Sequence, residues 1–154
     1  MMQLRVEPAV TNQRSELMRR IRQKNTKPEV DVRRLLHSSG YRYRLHMKHL
    51  PGTPDIAFPG RKKAIFVHGC FWHGHENCKL ATVPKTRSEF WIEKIAANRD
   101  RDTRKVDSLR KLGWESIVVW QCELKSPLKL LSRLRHAIGK KKSQKPESEV
   151  SDLD

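Results

Sequence analysis

Residues 68–78, HGCFWHGHENC, hold two of the chain's three cysteines and three of its seven histidines. Phe71 and Trp72 sit in the middle of this stretch. A segment this dense in soft ligands, followed by a basic helix, points to metal chemistry close to nucleic acid. The odd cysteine count, with Cys70 and Cys78 beside histidines, argues against a disulfide framework. Charge points the same way. Lys and Arg outnumber Asp and Glu by 33 to 17, a net charge of +16. A surplus of that size favours a polyanionic partner. The plain alternative, a solvated basic surface, fits poorly because the surplus is concentrated. Residues 1–28 carry seven Lys/Arg against two acids, and residues 79–111 carry ten against five.

At 154 residues the chain accommodates one domain with a real core. No apolar run approaches the ~20 residues of a membrane span. The opening stretch MMQLRVEPAVTNQRSE lacks the apolar centre of a signal peptide. The expectation is a soluble intracellular protein. Residues 1–13 are expected to form a flexible basic arm, 14–138 the single domain, and 139–154 a charged, disordered tail.

Residues 14–24 suggest a short basic helix carrying Leu17, Met18 and Ile21. Pro28 suits the first turn of a second helix that runs to Ser38 and stops at Gly40. Residues 41–45 alternate as a half-buried strand does, residues 55–58 form a short strand after a turn, and residues 63–68 form an apolar central strand. The ligand-rich loop spans 69–86. Ser88 is placed to cap a long helix that ends at Gly113. A buried strand over 114–120 and a helix over 127–138 complete the order α-α-β-β-β-α-β-α. The central α-β-β-β-α-β portion is also the core order of many metal-dependent nucleases, which by itself is an analogy of fold.

Three carboxylates fall where a core wants apolar side chains. Glu29 shares a helical stripe with Val32 and Leu36. Asp102 shares one with Ile95, Val106 and Leu109. Asp55 opens the strand after Pro54. Opposite them, Ala64, Phe66 and His68 occupy one face of the central strand, with His68 at its end. Buried carboxylates are costly unless paired or metal-bound. Taken singly, each reads equally well as a cap or an ion pair.

The pair Pro54-Asp55, then a hairpin, then a strand ending in Phe66-Val-His68 resembles the PD-(D/E)xK nucleases. Here Phe66 stands where that pattern has an acid and His68 where it has a lysine, while the Val67 carbonyl remains available. One branch of the superfamily carries this departure. The chain resembles the Vsr (very-short-patch repair) DNA mismatch endonucleases through LPGTPD at 50–55, IFVHGCFWH at 65–73, PKTRSEFWIEKI at 84–95, residues 98–102, and the segment from LGW at 112–114 to VVWQC at 118–122. The match covers about residues 14–135 in a consistent order.

That resemblance implies an α/β, restriction-endonuclease-like core with a mixed central sheet flanked by helices and a structural zinc. It implies a Mg²⁺-dependent hydrolase that nicks one DNA strand 5′ of the thymine in a T:G mismatch, the product of 5-methylcytosine deamination, and so starts very-short-patch repair. The enzyme is expected to act as a monomer in a prokaryotic cytoplasm, on the nucleoid, alongside mismatch-repair proteins. Asp55 and the Val67 carbonyl are implied as Mg²⁺ ligands, one ion or two, with His73 as the base and His68, Glu29 and Asp102 filling the remaining active-site positions. Cys70, His75, Cys78 and Cys122 are implied as zinc ligands. His73 competes with His75 for the fourth place, and Cys70 and Cys122 also read as simple buried thiols.

Phe71 and Trp72 match intercalating aromatics, Met18 a residue entering from the other groove, and Trp91 an extension of that platform. The plainer readings are a small core around the zinc and ordinary helix packing. Arg19, Arg20, Arg22, Lys85 and Arg87 are candidate phosphate contacts. Two rivals stay open: a zinc-stabilised mismatch-binding module without catalysis, and a related nuclease with another DNA target.

Overall fold

A computed structural model of the chain describes residues 25–139. The expected basic arm and first helix, with Met18, Arg19, Arg20 and Arg22, lie outside the described residues, as does the tail beyond residue 139. Helix α1 is Lys27–Ser38. Thr26 caps it, with Oγ1 accepting from the Glu29 N–H at 3.5 Å, and Pro28 sits in its first turn. The inward stripe of Glu29, Val32 and Leu36 is buried.

A four-stranded sheet follows in the order β1-β2-β3-β4. Its strands are β1 Arg44–Leu45, β2 Ile56–Phe58, β3 Lys63–His68 and β4 Glu115–Trp120. β1–β2 and β2–β3 pair antiparallel, whereas β3–β4 pair parallel, from Lys63 opposite Glu115 to His68 opposite Trp120. A parallel pair needs a crossover, and the long helix α2, Ser88–Lys111, supplies it. After a 3₁₀ segment at Gln121–Lys125, helix α3, Pro127–Ile138, closes the fold.

Alternation along the strands sorts side chains between two layers. Ile56, Phe58, Ile65, Ile117 and Val119 pack with residues of α1 and α3 into the main core. Ala57, Ala64 and Phe66 pack on the other face with Leu50 and Leu109 of α2. Truncating a fully buried member such as Leu36 or Ile65 to Ala costs about 2–5 kcal/mol. By the same alternation His68, two residues beyond Phe66, faces the α2 side, which is where Asp102 resides. Among the described residues no helix is long and apolar enough to cross a membrane.

Two local expectations change. The strand over 41–45 shortens to two residues. Tyr41 and Tyr43 are held by their rings, edge-on to Phe58 at 6.1 and 6.4 Å, and their hydroxyls donate to the Gly139 and Arg33 carbonyls. Pairing then stops because His46 adopts φ 43°, a left-handed conformation. Ser88 is also not the cap of α2. That place belongs to Arg87, at φ 57° and ψ 38° with no side-chain capping bond, and Ser88 is already helical.

Candidate active site and metal cluster

The loop after β3 returns immediately on itself. The His73 N–H donates to the Gly69 carbonyl at 3.2 Å, and the His75 N–H donates to the Cys70 carbonyl at 2.9 Å. Gly74 permits this fold-back: its φ is +61°, and a Cβ there would meet Ile95 Cγ2 at 2.6 Å. Tight packing of the loop on α2 delivers two groups of side chains to different places.

The first group is Cys70, His75, Cys78 and Cys122, whose ligand atoms all lie within 4.8 Å of one another. Cys70 is fully buried, and His75 Nδ1 is 3.4 Å from Cys122 Sγ. The His75 ring is fixed by parallel stacking on Trp120 at 4.1 Å. Burial, with the Cys122 backbone acting to lower it and the Cys122 and Cys78 thiols acting to raise it, pushes the Cys70 thiol up to about 12. Three thiols and an imidazole converging in so small a volume suit a soft, tetrahedrally bound cation, because Zn–S bonds of ~2.3 Å place sulfurs ~3.8 Å apart. His73, the sequence's other candidate for this group, lies elsewhere.

His73 belongs to the second group, with His68 and Asp102. Its Nδ1 is 2.5 Å from Asp102 Oδ2, and its ring stacks on His68 with centroids 3.8 Å apart and planes 4° apart. His68 Nε2 is 3.9 Å from Asp102 Oδ1, while its buried Nδ1 has no hydrogen-bond partner among the described residues. Burial, followed by the charge of His73, lowers His68 to about 4. For Asp102, burial acts upward, but the hydrogen bond from His73 and the charges of His68, His73 and Lys105 bring the net shift below the ordinary carboxylate value. A cleft of about 540 Å³ opens over His68, His73, His75, Asp102 and Trp120.

Asp55 stands on the neighbouring side of β3. Its Oδ2 accepts the Val67 N–H at 2.7 Å, tying it to the residue before His68. Burial, with a contribution from the charge of Glu29, pushes Asp55 up to about 7, although Val67, Lys105 and Arg33 act to lower it. Glu29 is 3% exposed, and its Oε2 accepts from the Asn25 N–H at 3.0 Å and from Arg33 Nη2 at 3.2 Å. Glu29, His46 and Asp55 form a third group of donors within 4.8 Å. A half-buried carboxyl raised this far, facing the buried carboxylate of Glu29, fits a centre that takes a hard divalent cation.

Phe71, Trp72 and Trp91 form a cluster of their own. The rings meet edge-on, with centroids 5.2–5.9 Å apart. Phe71 and Trp72 are half-buried, whereas Trp91 is only 6% exposed and packs as support for the pair. Asn98 Nδ2 donates to the Trp72 carbonyl at 2.9 Å, fixing the loop beside them. Lys85 and Arg87 are exposed. The Arg87 guanidinium lies 5.7 Å from the ring of Phe90, a residue that is itself 47% exposed.

Sequence reasoning missed two members of the site. His46 joins Glu29 and Asp55 from the turn after β1. Lys105, one turn beyond Asp102, acts on Asp55, His68 and Asp102 alike. Only Lys105 had a signal available, its i+3 spacing from Asp102.

Residues 9–80 match the family described as DNA mismatch endonuclease Vsr. The type II nicking enzyme V.XorIIP of Xanthomonas oryzae pv. oryzae is 56% identical over 81% of this chain and 91% of its own length. V.NmeAIP, a type II nicking enzyme of Neisseria meningitidis, is 44% identical over 83% of this chain and 91% of its own. The DNA mismatch endonuclease Vsr of Escherichia coli K12 is 44% identical over 76% of this chain and 74% of its own. The chain belongs to the Vsr family of DNA mismatch endonucleases.

Proposed function

We propose that this nuclease nicks one strand of duplex DNA on the 5′ side of the thymine in a T:G mismatch, and so starts repair of deaminated 5-methylcytosine. The observation that carries this reading is the His73–Asp102 contact, with His68 stacked on His73 and Asp55 bonded to Val67 beside it. With Nδ1 engaged by Asp102, His73 keeps Nε2 as its proton-accepting nitrogen. It takes the proton of the attacking water, and the Asp102 carboxylate holds the ring and stabilises the imidazolium that results. His68 is neutral at physiological pH, so its flat ring orients His73 without adding charge.

Asp55 and the Val67 carbonyl would hold Mg²⁺, and Glu29 would support the ion from beside Asp55. A divalent cation at that point supplies positive charge against the scissile phosphate. Cys70, His75, Cys78 and Cys122 would hold a structural zinc, a four-ligand set with no position left for substrate. The Phe71–Trp72 pair would enter the stack at the mismatch, where unstacking costs least. Lys85 and Arg87 would bind phosphate beside it. A protein of this kind works in the cytoplasm of a prokaryote, as a monomer on DNA.

A second reading keeps the chemistry and changes the target, because relatives named type II nicking enzymes are among the most similar. One assay separates the two: cleavage of a labelled duplex with a single T:G mismatch, beside T:A and C:G controls, in Mg²⁺ and in EDTA. A Mg²⁺-dependent nick confined to the T strand at the mismatch is the expected result. Equal cutting of the matched controls would move the target elsewhere, and tight mismatch binding without any nick would leave a binding module.

A further inference from the structure

We propose that His46 is a nitrogen ligand of the cation held at Asp55, so that this centre binds first-row ions such as Mn²⁺ as well as Mg²⁺. The inference rests on the proposed metal centre at Asp55 and adds one side chain to it. Two observations support it.

The first is position. His46, Glu29 and Asp55 each bring a donor atom within 4.8 Å of the other two. His46 Nε2 lies 3.5 Å from Glu29 Oε2. The second is backbone conformation. His46 sits at φ 43°, in the left-handed region that a residue with a Cβ enters at a cost. That conformation ends the β1 pairing and turns the chain into the 50–55 motif, with the imidazole among the carboxylates.

An all-oxygen centre favours Mg²⁺, whereas an imidazole in the set raises the relative affinity for transition ions.

The test uses the full-length, zinc-replete protein with Mn²⁺ as the probe, read by pulsed EPR for nitrogen coupled directly to the ion. Wild type should show one bound Mn²⁺ with a coordinated-nitrogen signal. His46→Asn should lose that signal and bind Mn²⁺ about tenfold more weakly, because Asn tolerates the left-handed backbone and keeps the fold. His73→Asn should keep the signal, which excludes the neighbouring imidazole as its source. Unchanged zinc content and melting temperature certify the variants, and His46→Gln serves if the Asn protein is unstable.

A wild-type spectrum with one bound Mn²⁺ but no nitrogen signal overturns the inference while leaving the Asp55 centre intact, as does a signal that persists in both His46 variants. Absence of stoichiometric Mn²⁺ binding, unaltered by Asp55→Asn, overturns the centre itself and the inference with it.

Discussion

The polypeptide leaving β3 serves two ligand-rich regions within a few residues of each other, and they differ in how far each is satisfied. The Cys70–His75–Cys78–Cys122 cluster has four donors of the soft kind, one of them fully buried, with its imidazole clamped on Trp120. It is closed. The region of Asp55, Glu29, His68 and His73 is only partly satisfied. Burial holds Asp55 up at about 7 and His68 down at about 4, and a ring nitrogen of His68 goes without a partner among the described residues. Self-sufficient donor sets hold folds together, whereas under-compensated ones wait for a substrate or an ion. The two lie so close because one short loop, folded back at Gly74, builds part of each.

The comparison breaks most readily at the closed cluster. Cys122→Ser should release the cluster's metal and lower stability by on the order of several kcal/mol, since metal binding and folding are coupled in such sites. Metal analysis with thermal melting checks this, and a variant that keeps its metal and its melting temperature would show that the cluster is not structural. On the partly satisfied side, His73→Ala should slow single-turnover nicking by roughly 10²- to 10⁴-fold with the melting temperature little changed. Asp102→Asn should give a smaller drop, about 10- to 100-fold, because it disturbs only the orientation of His73. Full activity in either variant removes that residue from the proposed mechanism.

The aromatic cluster bridges the regions. Phe71→Ala with Trp72→Ala should weaken preference for mismatched over matched duplex by about 10- to 100-fold in binding, in line with ~1.4–2.8 kcal/mol of lost stacking. Fluorescence titration with the two duplexes reads it out, and an undiminished preference would make the pair a packing feature. Gly74→Ala should have the smallest effect, about 1–3 kcal/mol of stability, from a strained φ and the clash with Ile95. If it also slows nicking at temperatures where the protein is folded, the loop couples the two regions.

Much of this could be read before the structure, for identifiable reasons. β3, α3 and most of β4 follow from runs and spacings that burial imposes directly. The inward placement of Glu29 followed from helical period alone, because Val32 and Leu36 flank it on the same stripe. Two histidines, His73 and His75, offered themselves for one cysteine cluster, and spacing could not choose between them. The choice is made by the turn at Gly74, which sends His75 to Trp120 and His73 to Asp102. His46 was invisible because its contact with Glu29 spans seventeen positions and depends on a left-handed residue that no periodicity marks. Arg87 took the helix cap from Ser88 because a left-handed residue ended the loop one position earlier.

The most direct test of the contrast is Asp55→Asn, assayed side by side for nicking of the T:G duplex, duplex binding, metal content of the cysteine cluster and melting temperature. The account predicts that nicking is lost by about three orders of magnitude, since the cation's contribution to the transition state goes with the carboxylate. Binding and cluster metal should persist, and the melting temperature should hold or rise, because a carboxyl partly withdrawn from water beside Glu29 has been neutralised. Nicking at the wild-type rate, or loss of the cluster metal together with the fold, would contradict the assignment of catalysis to one region and architecture to the other.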